Sequence, residues 1–203
     1  MDKSKANANN VALKNITKES ITQALIMLMD QKDYKDISIS EICNKAGVSR
    51  NAFYRNYPAK DAILRIYLYE ETDTWRRDMR QIKNLSTIQY FSLLFAQCGK
   101  FKELTRKMVN AGIDYILIDL FYNFFKDLTR YNDTDSHYYQ CHLAGSVYAI
   151  FINWVMNERP ESAEEIATLL CKYNHISPNG KCRRPKPTEI EEMLTMGSFK
   201  YKN

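Results

Sequence analysis

Proline and glycine are scarce in this 203-residue chain, at 5 and 6 residues. An all-β protein needs turn residues at every reversal, so the scarcity argues against one. No apolar run reaches the roughly 18 residues of a membrane span. The opening MDKSKANANN has no apolar signal-peptide core, and the expected compartment is the cytoplasm. The cysteines (Cys43, Cys98, Cys141, Cys171 and Cys182) are odd in number and form no CxxC pair, which favours reduced thiols over a disulfide framework. Cys171, His175 and Cys182 lie close along the chain, but a fourth zinc ligand at a sensible spacing is missing. No metal and no other cofactor is expected. Catalytic signatures are equally thin: the three histidines are scattered, and neither a Ser/His/Asp spacing nor a phosphate-cradling glycine loop stands out. An enzyme is not expected.

What is present is ordinary globular material, 45% hydrophobic and 26% charged. The net charge of +5 is unevenly spread. Residues 1–60 hold 10 Lys or Arg against 6 Asp or Glu, residues 61–177 hold 13 against 15, and residues 178–203 hold 6 against 3. A basic N-terminal segment suits a polyanionic partner, although many solvated surfaces carry as much charge.

Helical periodicity runs through nearly the whole chain, and the fold class read from it is all-α. Residues 1–14 read as a polar, flexible arm. A first helix over 17–31 places Ile21, Ala24, Leu25, Leu28 and Met29 on one face. Ser38 and Glu41 have the spacing of a capping box, in which each side chain satisfies a free backbone N–H. The short helix that follows carries Ile39, Ile42, Cys43 and Ala46, and Gly47 ends it, because glycine tolerates the left-handed turn required there. Ser49 caps a third helix over 50–56, which Pro58 closes. Further helices are expected over about 59–82, 87–98, 101–109, 112–129, 136–157 and 161–174, with a short one near 188–195.

Two short helices joined at NKAGVS make a helix-turn-helix unit, whose second helix lies in the DNA major groove with its first residues at the base edges. Arg50, Asn51 and Ala52 fall in that first turn. Arginine reads guanine through two hydrogen bonds, asparagine reads adenine, and alanine meets a thymine methyl or lets the backbone approach. Phe53 is expected to point inward. Tyr54, Arg55, Tyr57 and Lys60 offer hydroxyls or cations to phosphates, contacts that position without reading sequence. A helix–glycine–helix corner alone is weak, since many all-α proteins contain one.

The longer stretch SISEICNKAGVSRNAFYRNYPAKDAIL narrows the reading. Its capped apolar helix, A-G-V-S turn, F-Y pair, following aromatic and K-x-x-[IL] ending resemble the DNA-binding domain of TetR-family transcriptional regulators over residues 15–68. The resemblance implies a helix-turn-helix domain over 15–60, a helical ligand-binding and dimerisation domain over 61–176, and a basic tail over 177–203. It implies a homodimer on a palindromic operator, most often a repressor, released when a small-molecule inducer changes the spacing of the two reading heads. By motif position it gives base readout to Arg50, Asn51 and Ala52. Phosphate contacts go to Ser38, Ser40, Ser49, Tyr54, Asn56 and Lys60, with Lys3 and Lys5 adding charge from the arm. Pro58 departs from the family pattern, where many members have a lysine or other polar residue. The alternative within the same fold is a coactivator that binds a protein partner in place of DNA; Arg50, Tyr54 and Lys60 favour DNA.

The helices over 136–157 and 161–174 are the expected dimer interface. Ala144 and Gly145 allow close approach beside Leu143, Val147 and Phe151, and two such helices from each subunit make a four-helix bundle. Aromatic side chains supply the candidate inducer site: Phe91, Phe95, Phe121, Tyr122, Phe125 and Tyr148.

Overall fold

In the computed structural model the described backbone covers residues 3–126 and 134–179, and the described side chains cover 11–79, 81–125 and 137–179. The described residues form nine α-helices and one 3₁₀ turn, with no strand. The chain divides into two units, Met1–Tyr67 and Leu68–Asn203.

The N-terminal unit holds α1 (Lys3–Met29), the 3₁₀ turn Tyr34–Asp36, α2 (Ile39–Ala46), α3 (Arg50–Asn56) and the first turns of α4 (Asp61–Gln81). Helix α1 starts at Lys3, where the sequence suggests a flexible arm. Residues 3–16 lack the apolar stripe by which a buried helix is recognised, but they hold neither glycine nor proline, and Ala, Lys and Leu favour helix. Farther along, Ile21, Ala24, Leu25 and Leu28 are buried, as the periodicity requires.

Local chemistry sets the ends of α2 and α3. The Ser38 Oγ accepts the Glu41 backbone N–H at 3.2 Å, and the Glu41 carboxylate accepts the Ser38 backbone N–H at 3.0 Å. Gly47 closes α2 at φ +68°, with the Val48 N–H donating to the Cys43 carbonyl. The Ser49 Oγ then accepts the Ala52 N–H at 3.1 Å. Tyr57 is extended at φ −139°, as a residue before proline must be. Ile42, Phe53, Ile63 and Leu64 seal the core of this unit, and burying Phe53 alone contributes about 2–3 kcal/mol.

The second unit continues α4 and adds α5 (Thr87–Gly99), α6 (Lys102–Asn110), α7 (Tyr115–Lys126), α8 (Thr134–Met156) and α9 (Ala163–Tyr173). Helix α7 packs mainly on α8, and α5 on α9. Ser86 with Gln89, and Ser162 with Glu165, form capping boxes at the starts of α5 and α9. Helix α7 begins at Tyr115, later than its apolar pattern suggests, because Gly112 turns left-handed at φ +67° and ends α6 first. The core is aromatic: Trp75, Tyr90 and Phe124 stand with ring centroids 5.7–6.2 Å apart. Phe124 meets Phe125 edge-on at 5.0 Å, and Phe121 meets Phe151 at 5.8 Å. The expected short helix near 188–195, Cys182 and most of the basic tail lie outside the described residues.

Candidate functional site

Helix α3 has two opposite faces. Phe53 and Tyr57 are 0% and 1% exposed, whereas Arg50, Asn51, Tyr54 and Arg55 lie at the surface. Ser49, Asn51, Tyr54 and Arg55 line one open surface depression. The exposed face therefore carries two guanidinium groups, a carboxamide, a phenol and a hydroxyl, and no carboxylate. The Ser49 hydroxyl spends a lone pair on the Ala52 N–H and keeps its proton for an outside acceptor. Ala52 is half-buried in the first turn, and Ser40 is exposed in the first turn of α2.

Other residues that the sequence suggests for phosphates are turned to internal work. Tyr57 is buried, with its hydroxyl 3.5 Å from both the Thr22 Oγ1 and the Lys18 carbonyl. Asn56 folds its Nδ2 back onto the Ala52 carbonyl at 2.8 Å, and its Oδ1 is buried. The Ser38 hydroxyl donates to the Glu41 carboxylate at 2.7 Å. Lys60 departs furthest from expectation. Its ammonium donates to the Tyr34 carbonyl at 2.5 Å and the Ile37 carbonyl at 2.9 Å, and sits 4.2 Å from the centroid of the Tyr34 ring. Burial lowers its pKa from the ordinary lysine value, against the opposing pull of Asp61 and Asp36. The Tyr34 hydroxyl in turn donates to Asp61 at 2.5 Å. Lys60 thus ties the segment between α1 and α2 to the start of α4. The side chains of Lys3 and Lys5 lie outside the described ones.

The electrostatics of α2 reinforce its cap. The Glu41 carboxylate accepts from the Lys32 ammonium at 2.5 Å. That hydrogen bond, followed by those from Ser38, holds the Glu41 pKa at about 2.

The second unit contains a cavity of about 40 Å³. Leu68, Thr72 and Trp75 of α4 line it, with further walls from α5, α6, α7 and α8. Of the six aromatic residues suggested for an inducer site, Phe121 lies in this lining. Phe91, Phe95 and Phe125 are buried elsewhere in the core. Tyr122 is half-buried, its hydroxyl 3.3 Å from the His137 Nδ1. Tyr148 donates a short hydrogen bond to Asp114, and burial, helped by that bond, raises its pKa. Ring content alone did not separate these roles. The signal that points to the cavity is the polar residue on an apolar helix face, Thr72 on α4 and Thr105 on α6.

Much of the apolar surface on the two helices expected to form the dimer interface is also spent internally. Leu143, Ala144, Val147 and Phe151 of α8, with Ile166 and Leu170 of α9, are buried within the subunit. Gly145 differs: a Cβ placed there meets nothing within 4 Å. Among the described residues no group of three or more metal-ligating side chains forms, and no helix is long and apolar enough to cross a membrane.

No curated protein matches the chain by sequence. Solved structures similar to the chain include these three. A TetR transcriptional regulator from Streptococcus agalactiae superposes with a TM-score of 0.56 at 18% identity, over 83% of this chain and 98% of that one. The dihydroxyacetone kinase operon activator DhaS gives 0.49 at 16%, over 78% and 94%. The Thermus thermophilus repressor FadR, solved with lauroyl-CoA, gives 0.48 at 18%, over 85% and 98%. The first of these supports the fold. Residues 21–65 match the family described as bacterial regulatory proteins, tetR family. The capped α2, the left-handed Gly47 turn and the outward-facing α3 all lie inside residues 21–65, which match the tetR-family model, and the chain as a whole is similar in fold to a TetR transcriptional regulator.

Proposed function

We propose that the protein is a ligand-responsive repressor in the cytoplasm that binds a palindromic operator as a homodimer. The observation that carries the reading is the division of α3. Its aromatic anchors are buried while Arg50, Asn51, Tyr54 and Arg55 face outward. Arg50 and Asn51 read base edges, Ala52 gives the backbone room, and Ser40, Ser49, Tyr54 and Arg55 hold phosphates. Lys60, Asn56 and Ser38 serve the domain from within, by fixing the frame that presents α3.

Dimerisation uses the outward face of α8, where Gly145 leaves space, Ala149 is exposed, and Ile152 and Met156 are half-exposed. The half-exposed Leu169 and exposed Tyr173 of α9 extend that surface. One helix-turn-helix unit seldom makes enough base contacts alone, and a two-fold dimer doubles them. The cavity of the second unit is the effector site, and its occupation releases DNA.

Selection of bound duplexes from a random library tests the reading. A palindrome with half-sites about 34–36 Å apart is the expected product. Recovery of no duplex would move the assignment to a coactivator that binds a protein partner.

A further inference from the structure

We infer that the effector is a small, uncharged aromatic compound carrying one hydrogen-bonding oxygen, which it places against Thr105. This assignment rests on the reading of the cavity as the effector site. Five rings contribute to the walls, those of Trp75, Phe101, Phe121, Phe124 and Phe151, and such walls favour edge-on and offset contacts with another ring. No charged side chain lines the cavity. Arg76, a buried cation of this unit, stands 5.3 Å from the Phe124 ring centroid and is not part of the lining. A carboxylate or ammonium entering here would lose its water and gain no counter-charge, which excludes charged effectors.

Thr105 brings to this lining a buried hydroxyl with its bonding capacity unspent. Thr105 is 1% exposed, lines the cavity, and has its Oγ1 buried with no hydrogen-bond partner. A buried hydroxyl left in that state is costly, and a ligand oxygen that pairs with it recovers the loss. Of the other polar residues in the lining, Gln97 is half-buried, and Thr72 and Cys98 are engaged or inert. The Thr72 hydroxyl donates to the Leu68 carbonyl at 2.7 Å. The Cys98 thiol is pushed up to about 12 by burial and stays protonated, so it forms no thiolate to meet an electrophile. Specificity therefore comes from ring shape and a hydrogen bond to the buried Thr105 hydroxyl. At about 40 Å³ the cavity holds less than a benzene ring, so the wall rings turn aside as the ligand enters.

Calorimetric titration of the full chain with phenol, toluene and benzoate tests the assignment, because phenol and toluene differ by a hydroxyl in place of a methyl. Phenol is expected to bind about tenfold tighter than toluene, and benzoate not to bind. In Thr105→Val, a shape-preserving change, phenol falls to the level of toluene while toluene binds as before. Equal binding of phenol and toluene to the native chain, tight binding of benzoate, or no binding by any of the three overturns the assignment. Operator release is read separately. Phenol bound through Thr105 without release of DNA would defeat the effector reading and leave the chemical assignment standing. Release by benzoate alone would do the reverse.

Discussion

Arg50 and Lys60 are both cations of the N-terminal unit, and their surroundings give them different work. Arg50 is exposed in the first turn of α3. Arg50→Ala is expected to weaken operator binding by about 1–3 kcal/mol and to relax one base position; a mobility-shift series over single-base operator variants measures both effects. The Lys60 ammonium is held by two backbone carbonyls. Lys60→Met is therefore expected to lower the thermal midpoint of the N-terminal unit while leaving the salt slope of DNA binding unchanged. A lost phosphate contact would instead reduce that slope by about 0.9. Glu41 makes a third residue-scale prediction. Its folded pKa, about 2, lies below the ordinary 4.5, so the carboxylate form is the one stabilised. That stabilisation is complete above pH 4.5 and is lost as pH falls through 2. Acid unfolding curves of the native chain and Glu41→Gln should therefore converge toward the bottom of this window. Curves that keep a constant separation down to pH 2 would contradict the coupling.

Two glycines test the elements. Gly47 sits at φ +68°, and a Cβ there meets nothing within 4 Å. The penalty for Gly47→Ala is then purely conformational, about 1–2 kcal/mol, visible in a denaturant midpoint with an unchanged slope. Gly145 lies within helix α8, also with open space around a Cβ. Gly145→Trp should leave the subunit folded and convert the proposed dimer to a monomer in sedimentation; a dimer that persists would place the interface elsewhere. Most elements were legible in the sequence because their signals are local. Ser38 with Glu41, Ser49 and Gly47 each act within four residues of the backbone they cap. The early start of α1 was not legible, since nothing apolar repeats over residues 3–10 and only helix propensity acts there.

At the scale of the whole molecule the candidate DNA face was largely readable, and the cavity was not. Ser49 caps the seven-residue helix that carries Arg50, Asn51 and Tyr54, all within six residues, so one turn signal and one buried aromatic position them. The cavity draws on five helices, and no periodicity within a single helix tells which of its apolar residues meet across a gap. Phe121 and Phe125 show the difficulty. They occupy the same helix one turn apart, yet one lines the cavity and the other packs on Phe91 and Phe124.

The sequence by itself determined the all-helical class, the helix-turn-helix register and the outward presentation of Arg50 and Asn51, because capping and amphipathic spacing act over a few residues. Tertiary structure alone decided which polar groups remain free to act outward. Lys60 meets carbonyls 26 and 23 residues away, and Tyr57 reaches Thr22 across 35. A cation or hydroxyl takes a partner wherever the fold brings an acceptor within about 3 Å, and that distance is set by packing, not by position along the chain.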